Sequence, residues 1–138
     1  MIGAAGGVGS ILTQLARRLT GITIIGTASR PETRDWVLAH GAHHVINHRE
    51  PWAPQLQALG IKEVDFVVGL TESAGYVQQI AAVMRPEGKF ALIDDPVALD
   101  IGPFKTKSIS IHWELMYTRP IFTTRTIARQ HALLRRMA

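Results

Sequence analysis

The sequence contains no cysteine, no long apolar segment and few aromatic residues. The absence of cysteine excludes disulfides and Cys-ligated zinc within these 138 residues, and it fits a reducing cytoplasm. The longest apolar runs, at residues 22–25 and 66–70, are far too short to cross a bilayer. The first seven residues lack the basic and hydrophobic regions of a secretory signal. We therefore predict a cytoplasmic globular protein without a membrane partner.

Acidic residues are scarce in the last third of the chain. Residues 1–100 carry 8 Lys/Arg and 10 Asp/Glu, whereas residues 101–138 carry 7 Lys/Arg and only Glu114. A basic tail can contact nucleic acid or an acidic partner, but it is more often a solvated surface. Because no aromatic residues alternate with the arginines after Thr124, we predict no nucleic-acid partner.

Short β-branched runs alternate with longer amphipathic stretches. This alternation predicts a doubly wound α/β (Rossmann) fold, with a mostly parallel sheet of about six strands and helices on both faces. The predicted strands are 1–4, 22–28, 44–47, 64–70, 88–94 and 108–113, and the predicted helices are 10–19, 31–40, 54–59, 77–84 and 123–137. The first strand is unusually short, so we expect that residues 1–138 form one nucleotide-binding domain that is a piece of a longer chain.

A glycine cluster follows the first predicted strand. The run Ala4-Ala5-Gly6-Gly7-Val8-Gly9 matches the dinucleotide fingerprint G-x-G-x-x-G, with alanine at its first position. Gly6 would let the backbone approach a pyrophosphate, and Gly9 would let the helix pack closely on the strand. The free N–H groups of the helix start would then receive the phosphates. The alternative is a glycine-rich turn without a ligand.

An acidic residue is missing where NAD-binding domains use one to bind the ribose 2′-hydroxyl. Ser29 and Arg30 stand about 20 residues after Gly9, and Arg34 lies one helical turn further on. A hydroxyl and guanidinium groups suit a 2′-phosphate, so the sequence favours NADP(H) over NAD(H). The missing acid also argues against an S-adenosylmethionine-dependent methyltransferase. Alternatively, Ser29 and Glu32 could form a capping box that needs no ligand.

Two further groups of polar residues are open to a chemical interpretation. His43, His44 and His48 form a histidine cluster, but neighbouring strand residues point to opposite faces, so we do not expect a metal site. Asp94 and Asp95 end a predicted strand at the edge of the sheet where ligands bind. They could act as acid/base catalysts, although we favour a role in the turn before Pro96.

The chain resembles the cofactor-binding domain of the medium-chain dehydrogenase/reductases, in the branch of quinone oxidoreductases and zinc-type alcohol-dehydrogenase-like proteins. The resemblance lies in GAAGGVGSILTQLARRL (3–19), IIGTASRPE (24–32), GAHHVINHRE (41–50), VDFVV (64–68), RPEGKFALIDDP (85–96) and KTKSISIHWELMYTR (105–119). It implies a separate GroES-like catalytic domain that is absent from these residues. That domain supplies any zinc ligands in zinc-dependent members, so no zinc is expected on this chain.

The resemblance also implies which residues surround the cofactor. Gly6, Gly7, Val8 and Gly9 would line the pyrophosphate, whereas Ser29, Arg30 and His48 would surround the 2′-phosphate. The ribose and nicotinamide would be bordered by Leu70, Thr71, Ile93 and Asp94. The strand from Ser108 to Trp113 corresponds to an edge strand that commonly pairs across a homodimer.

Two functions from different classes remain open at this point. In the first, the chain holds NADPH for an oxidoreductase that transfers hydride to a carbonyl or quinone-type acceptor, because the cofactor carries the chemistry and the protein positions it. No catalytic side chain is then expected within residues 1–138, and the chain alone should be inactive. In the second, it is a stand-alone nucleotide-binding or scaffold module.

Overall fold

A computed structural model describes residues 1–137. The five strands are β1 (Ile25–Thr27), β2 (His44–Ile46), β3 (Val64–Gly69), β4 (Met84–Leu92) and β5 (Ser110–Trp113). The helices are α1 (Gly7–Leu19), α2 (Pro31–Ala39), α3 (Trp52–Ala58), α4 (Val77–Val83), α5 (Thr118–Ile121) and α6 (Ile127–Met137). Two 3₁₀ turns cover Ser73–Tyr76 and Gly102–Lys107. The alternation of strands and helices predicted from the sequence is confirmed.

All strand pairs within the sheet are parallel. One part of the sheet has the order β1-β2, and the other has the order β3-β4-β5. Helices cross over between the parallel strands, as such connections require. The predicted fold class, a doubly wound parallel sheet, is therefore confirmed.

The prediction of about six strands is wrong by one strand. Of the predicted first strand, residues 1–4, only Ile2 forms a bridge, and its partner is Gly69 in β3. Its N–H donates to the Val68 carbonyl (2.8 Å), and its carbonyl accepts from the Leu70 N–H (3.3 Å). The strand stops there because Gly3, at φ +74°, turns the chain into the glycine cluster.

Met1 completes the connection between the two parts of the sheet. Its amine donates to the Ile25 carbonyl (2.7 Å), and its own carbonyl accepts from the Thr27 N–H (3.0 Å). Two residues thus occupy the central position of the sheet, between β1 and β3. The spatial order around them is β2, β1, Met1–Ile2, β3, β4, β5, the doubly wound arrangement.

Helices cover both faces of the sheet, and each face has its own hydrophobic cluster. The larger cluster packs α3 and α4 on the sheet and includes Phe90, Ile80 and Leu92, all fully buried. The smaller cluster includes Ile24 and Val37. Consecutive residues of a strand point to opposite faces, so Ile24 contributes to one cluster and Ile25 packs against the other.

Several element boundaries differ from those predicted. Helix α1 begins at Gly7 instead of residue 10, because the glycines themselves adopt helical backbone angles. Strand β4 begins at Met84 instead of residue 88, and an irregular register opposite β3 accommodates the extra residues. Helix α6 begins at Ile127 instead of residue 123, after the separate short helix α5. Among the described residues, no helix has the length and apolar character needed to cross a membrane.

Candidate functional site

A cleft of about 310 Å³ opens where the central position of the sheet meets the start of α1. Parallel doubly wound sheets bind ligands at the carboxyl ends of their strands, and this cleft lies at the ends of β1 and β3. Five residues predicted for the site line it: Gly6, Ser29, Arg30, His48 and Thr71. Its other lining residues are Ile2, Gly3, Ala5, Thr27, Ala28, Thr33, Arg49, Glu72 and Tyr76.

The N-terminus of α1 supplies the strongest anion-binding feature of this cleft. Gly6 is the N-cap, and no side chain caps the helix. The Gly7, Val8 and Gly9 N–H groups belong to the first turn and so have no intrahelical acceptor. The first turn also contains no acidic residue that would neutralise the positive end of the helix dipole. Gly6 and Gly7 are exposed, so an anion can reach this end of the helix.

Gly9 brings α1 directly against the end of the central strand. A Cβ atom at this position would lie 2.5 Å from the carbonyl oxygens of both Gly3 and Ala4. Only glycine allows so close an approach, as the fingerprint predicts for its third position. Gly7, in contrast, has no neighbour within 4 Å of its Cβ position, so nothing within the chain requires glycine there.

Ser29 does not act as the capping residue of α2. The N-cap is Arg30, without any side-chain cap hydrogen bond, and the Thr33 hydroxyl donates to the Arg30 carbonyl (2.9 Å). The capping-box alternative for Ser29 and Glu32 is therefore wrong, because the helix begins one residue later than that motif requires. Among the described residues, the Ser29 hydroxyl has no hydrogen-bond partner, and it lines the cleft beside Arg30.

An aromatic wall, formed by His48 and Tyr76 with Trp52 packed against Tyr76, borders the cleft. The Tyr76 ring stacks on Trp52 with a centroid distance of 5.2 Å, and His48 meets it edge-on at 6.3 Å. Burial raises the pKa of Tyr76, and the charge of Glu72 raises it further, while Arg49 opposes the change. The phenol therefore stays protonated at neutral pH and can donate a hydrogen bond. Such a wall is suited to a flat or partly apolar ligand group.

Arg49 and Tyr76 were missed by reasoning from the sequence. Arg49 is exposed and places a second guanidinium beside Arg30 in the cleft lining. Its backbone N–H donates to the Asn47 side chain (3.0 Å) in the turn after β2. Proximity to His48 in the sequence was the only available signal for Arg49. Nothing in the sequence indicated Tyr76, whose place depends on packing against Trp52.

Asp94 borders a second, open cleft of about 700 Å³ that shares Glu72 and Tyr76 with the first. Its carboxylate accepts hydrogen bonds from the Ser73 N–H (2.8 Å) and the Ser73 hydroxyl (2.7 Å). Ser73 is fully buried, and Glu72 just before it has the left-handed φ of +51°. Asp94 thus holds a strained turn between the two clefts, whereas neighbouring Asp95 makes no such contact.

Four other predicted site residues do not line this cleft. Val8 belongs to the exposed first turn of α1, and Leu70 follows β3. Ile93 follows β4, where its N–H donates to the Gly69 carbonyl (3.1 Å). Arg34 lies one turn into α2 and is half-buried. Their roles remain predictions.

His43 has a structural role. Its Nδ1 atom accepts a hydrogen bond from the Ile24 N–H (2.9 Å), and its Nε2 atom contacts the Arg17 guanidinium. In residues 1–137, no group of three or more His, Cys, Asp or Glu side chains is arranged to hold a metal ion. The described side chains thus do not provide a zinc donor set.

Comparison with known proteins identifies the family. The family model described as zinc-binding dehydrogenase matches residues 7–129. A zinc-type alcohol dehydrogenase-like protein of Staphylococcus aureus is 38% identical over 97% of this chain and 40% of its own length. The human quinone oxidoreductase is 30% identical over 75% of this chain and 32% of its own length. The chain therefore spans about two fifths of the first of these relatives.

Solved structures agree with this assignment. A Rhizobium etli protein described as a zinc-dependent alcohol dehydrogenase has a TM-score of 0.93 and 51% identity, over 96% of this chain and 39% of that one. A mycobacterial protein in complex with NADPH has a TM-score of 0.71 and 27% identity, over 84% of this chain and 37% of that one. The resemblance predicted from the sequence is confirmed. The chain belongs to the zinc-binding dehydrogenase family, within the medium-chain dehydrogenase/reductases.

Proposed function

We propose that this chain is the NADP(H)-binding domain of an oxidoreductase. The observation that carries the proposal is the uncapped, acid-free start of α1, which opens into a cleft that also contains Ser29 and Arg30. A dinucleotide has anionic groups at two positions that match these two features. The mycobacterial relative in complex with NADPH supports the same choice of cofactor.

The diphosphate would lie at the first turn of α1. Gly6 would allow its close approach, and the N–H groups of Gly7, Val8 and Gly9 would donate to its oxygens. Within residues 1–137, no side-chain capping hydrogen bond occupies the start of α1, so these donors are available to the phosphates.

The 2′-phosphate would lie beside Ser29 and Arg30, with Arg49 as a second cation. His48 and Tyr76 would border the adenosine at the aromatic wall. Arg34 lies outside the lining, so we assign it a weaker, longer-range contribution to the positive potential. A carboxylate at position 29 or 30 would repel the phosphate, and neither position carries one.

The ribose and nicotinamide would extend along the carboxyl ends of β3 and β4. Leu70 and Thr71 would border them on one side, and Ile93 and Asp94 on the other. Because its carboxylate is engaged with Ser73, Asp94 would position the Glu72 turn instead of exchanging protons with a substrate.

The bound cofactor would supply the hydride, which a carbonyl or quinone-type acceptor would receive. We assign no catalytic side chain to residues 1–138. In the whole protein, a GroES-like catalytic domain would close the cleft and provide any zinc ligands. A cleft with one wall excludes little water, so we expect the chain alone to show little turnover.

Calorimetric titration of the purified chain with NADPH and NADH tests the cofactor assignment. We expect NADPH to bind more tightly, and Arg30→Ala to weaken NADPH binding roughly tenfold to a hundredfold, as loss of a charge-assisted hydrogen bond does. Arg18→Ala, at the opposite end of α1, is the matched control and should bind both nucleotides normally. Equal affinities for the two nucleotides would refute the 2′-phosphate site.

The second candidate is a nucleotide-binding or scaffold module without catalytic activity. This candidate needs only the dinucleotide cleft and no catalytic side chain. Quinone reduction by NADPH separates the two candidates when the chain is assayed alone and joined to the catalytic domain of a relative. Binding without turnover in both forms would favour the module.

We also propose that β5 pairs with a second copy. In the ladder with β4, the Glu114 N–H donates to the Leu92 carbonyl, so the backbone of Trp113 faces outward. An unpaired strand edge of this kind can be covered by the same edge of another protomer. Trp113→Pro removes an outward N–H and should shift a dimer to monomer in sedimentation velocity. An unchanged sedimentation coefficient would contradict this interface.

A further inference from the structure

Two successive hydrogen bonds connect helix α2 to the glycine turn at the start of α1. The Trp36 indole N–H donates to the Ser10 hydroxyl (2.8 Å), and this hydroxyl donates to the Gly6 carbonyl (2.8 Å). Ser10 is buried, so water competes little for these bonds. Within residues 1–137, the Trp36–Ser10 bond is the only hydrogen bond that joins α1 to α2.

At its α1 end, this connection fixes one of the proposed phosphate donors. The Gly6 carbonyl accepts from the Ser10 hydroxyl and also from the Ser10 N–H (2.9 Å), so its direction is held by two bonds. This carbonyl and the Gly7 N–H belong to the same planar peptide group and point in opposite directions. Ser10 therefore sets the direction in which the Gly7 N–H points at the diphosphate position.

At its α2 end, the connection acts on the proposed 2′-phosphate position. Arg30 is the N-cap of α2 and lines the cleft, and Trp36 belongs to the same helix. The helix lies very close to β1 beside Trp36, since a Cβ atom at Gly26 would be 2.5 Å from the buried Val37 side chain. A bond at Trp36 therefore fixes where the start of α2 lies relative to α1.

The position of the Trp36 indole is not explained by the hydrophobic core. The residue is 50% exposed and belongs to neither hydrophobic cluster. His40 packs against the indole with a ring centroid distance of 4.2 Å, and its Nδ1 atom bonds to the Trp36 carbonyl (2.8 Å). The indole is thus held in place on α2 while its N–H contacts α1.

We propose that Trp36 and Ser10 are positioning residues that couple the 2′-phosphate position at α2 to the diphosphate position at α1. This inference rests on the proposed function, because it concerns the same dinucleotide cleft. One ribose joins the two phosphate positions of NADPH, so the protein groups that bind them must keep their separation to within about 0.5 Å. NADPH therefore depends on the separation of α1 and α2. NADH lacks the 2′-phosphate and depends on this separation much less.

Calorimetric titration of Trp36→Phe with NADPH and NADH tests the coupling. The substitution keeps an aromatic ring beside His40 and removes the N–H that reaches Ser10. We expect NADPH affinity to fall roughly fivefold to tenfold and NADH affinity to fall less than about twofold. In an Arg30→Ala background, Trp36→Phe should change NADPH affinity by less than about twofold, because the group that it positions is gone. Losses of equal size for both nucleotides would overturn the proposal, since a general structural role would affect both.

Ser10→Ala should weaken the binding of both nucleotides, and of NADPH more strongly. It removes the hydroxyl from the Gly6 carbonyl and also leaves the Trp36 N–H without its acceptor. Thr20→Val is the matched control. It removes a hydroxyl that donates to the Ala16 carbonyl (2.6 Å), also four residues earlier but at the opposite end of α1, and should leave both affinities unchanged. Unchanged binding by Ser10→Ala would overturn the proposal.

Hydrogen exchange of the Trp36 indole proton, followed by NMR, tests the same coupling without a substitution. Coupling is reciprocal, so saturating NADPH should strengthen the Trp36–Ser10 bond and slow this exchange at least about threefold more than saturating NADH does. Equal exchange with the two nucleotides would overturn the proposal. A chain that bound neither nucleotide would remove the proposed function together with this inference, whereas a preference for NADPH that survives Trp36→Phe would remove the inference alone.

Discussion

Asp94 holds Ser73 by both oxygens of its carboxylate, and this pair connects the ends of β3 and β4 across the rim of the cleft. Ser73 is completely buried and Asp94 is half-buried, so the contact is partly shielded from water. Glu72, which lines both clefts, directly precedes Ser73 and has a left-handed backbone with a φ of +51°. A residue at the edge of the site thus sets the shape of the site through its neighbour.

We predict that Asp94→Ala lowers the free energy of unfolding by about 1–3 kcal/mol, because it leaves the buried Ser73 hydroxyl and N–H unpaired. Urea denaturation measures the change. Asp95→Ala removes a similar charge without that contact and should cost less than about 0.5 kcal/mol. If both variants lose the same stability, the Asp94–Ser73 pair does not hold the turn.

Gly9→Ala should destabilise the chain by about 1–3 kcal/mol, because the added methyl group would meet two backbone carbonyls at 2.5 Å. Gly7→Ala is the matched control. Its methyl group enters open space and replaces glycine by a better helix former, so stability should be unchanged or slightly increased. Thermal denaturation of the two variants shows whether only position 9 requires glycine for packing or whether any alanine in the glycine cluster lowers stability.

Arg49→Ala should weaken NADPH binding about tenfold and leave NADH binding nearly unchanged, since only NADPH carries the 2′-phosphate. Calorimetric titration with both nucleotides measures the difference. A parallel loss of affinity for both would mean that Arg49 contributes only to the general positive potential of the cleft. Arg125→Ala, in the basic tail, provides a control of equal charge change.

The stability of the chain with a free Met1 amine should rise between pH 6 and pH 8. The amine has a pKa of about 6 in the folded chain and an ordinary value of 8.0, so the unfolded chain binds more protons in this window. The full destabilisation, roughly 2–3 kcal/mol, is therefore present below pH 6 and disappears above pH 8.

Denaturation of the Nα-acetylated chain is the control for this pH effect. Acetylation removes the titrating amine and leaves the six histidines in place. The difference in stability between the two chains should be largest below pH 6 and should disappear above pH 8. A difference that does not change with pH would show that the amine is not buried as the structure indicates.

The sequence predicted most of the fold because its signals are local. Three local signals each define an element without reference to the rest of the chain: the apolar positions of α1, Pro31 at the start of α2 and the apolar run 66–70 at β3. The approach of Gly9 to the central strand could also be predicted, because the fingerprint encodes it. These features account for the correct fold class.

The features that could not be predicted depend on contacts between distant residues. Tyr76 joins the cleft through Trp52, which is 24 positions away, and Asp94 finds its partner 21 positions earlier. The role of Ser29 was ambiguous because a serine at this position suits both a helix cap and a phosphate site. To choose between them one must know the first residue of the helix, which sequence patterns define only to within a few residues.

Met1 and Ile2 join the two parts of the sheet through hydrogen bonds to β1 and to the end of β3, and this arrangement has a consequence for ligand binding. The cleft is lined on both sides of this junction, by Ile2 and Gly3 at the central position and by Thr27 and Ala28 at the end of β1. A dinucleotide that reaches from α1 to Ser29 beside β1 and to Thr71 beside β3 would contact both parts of the sheet at once. Nucleotide binding would then raise the free energy of unfolding, and its effect would be largest where the two parts of the sheet meet. The association of the two parts would therefore strengthen as the cleft fills with nucleotide.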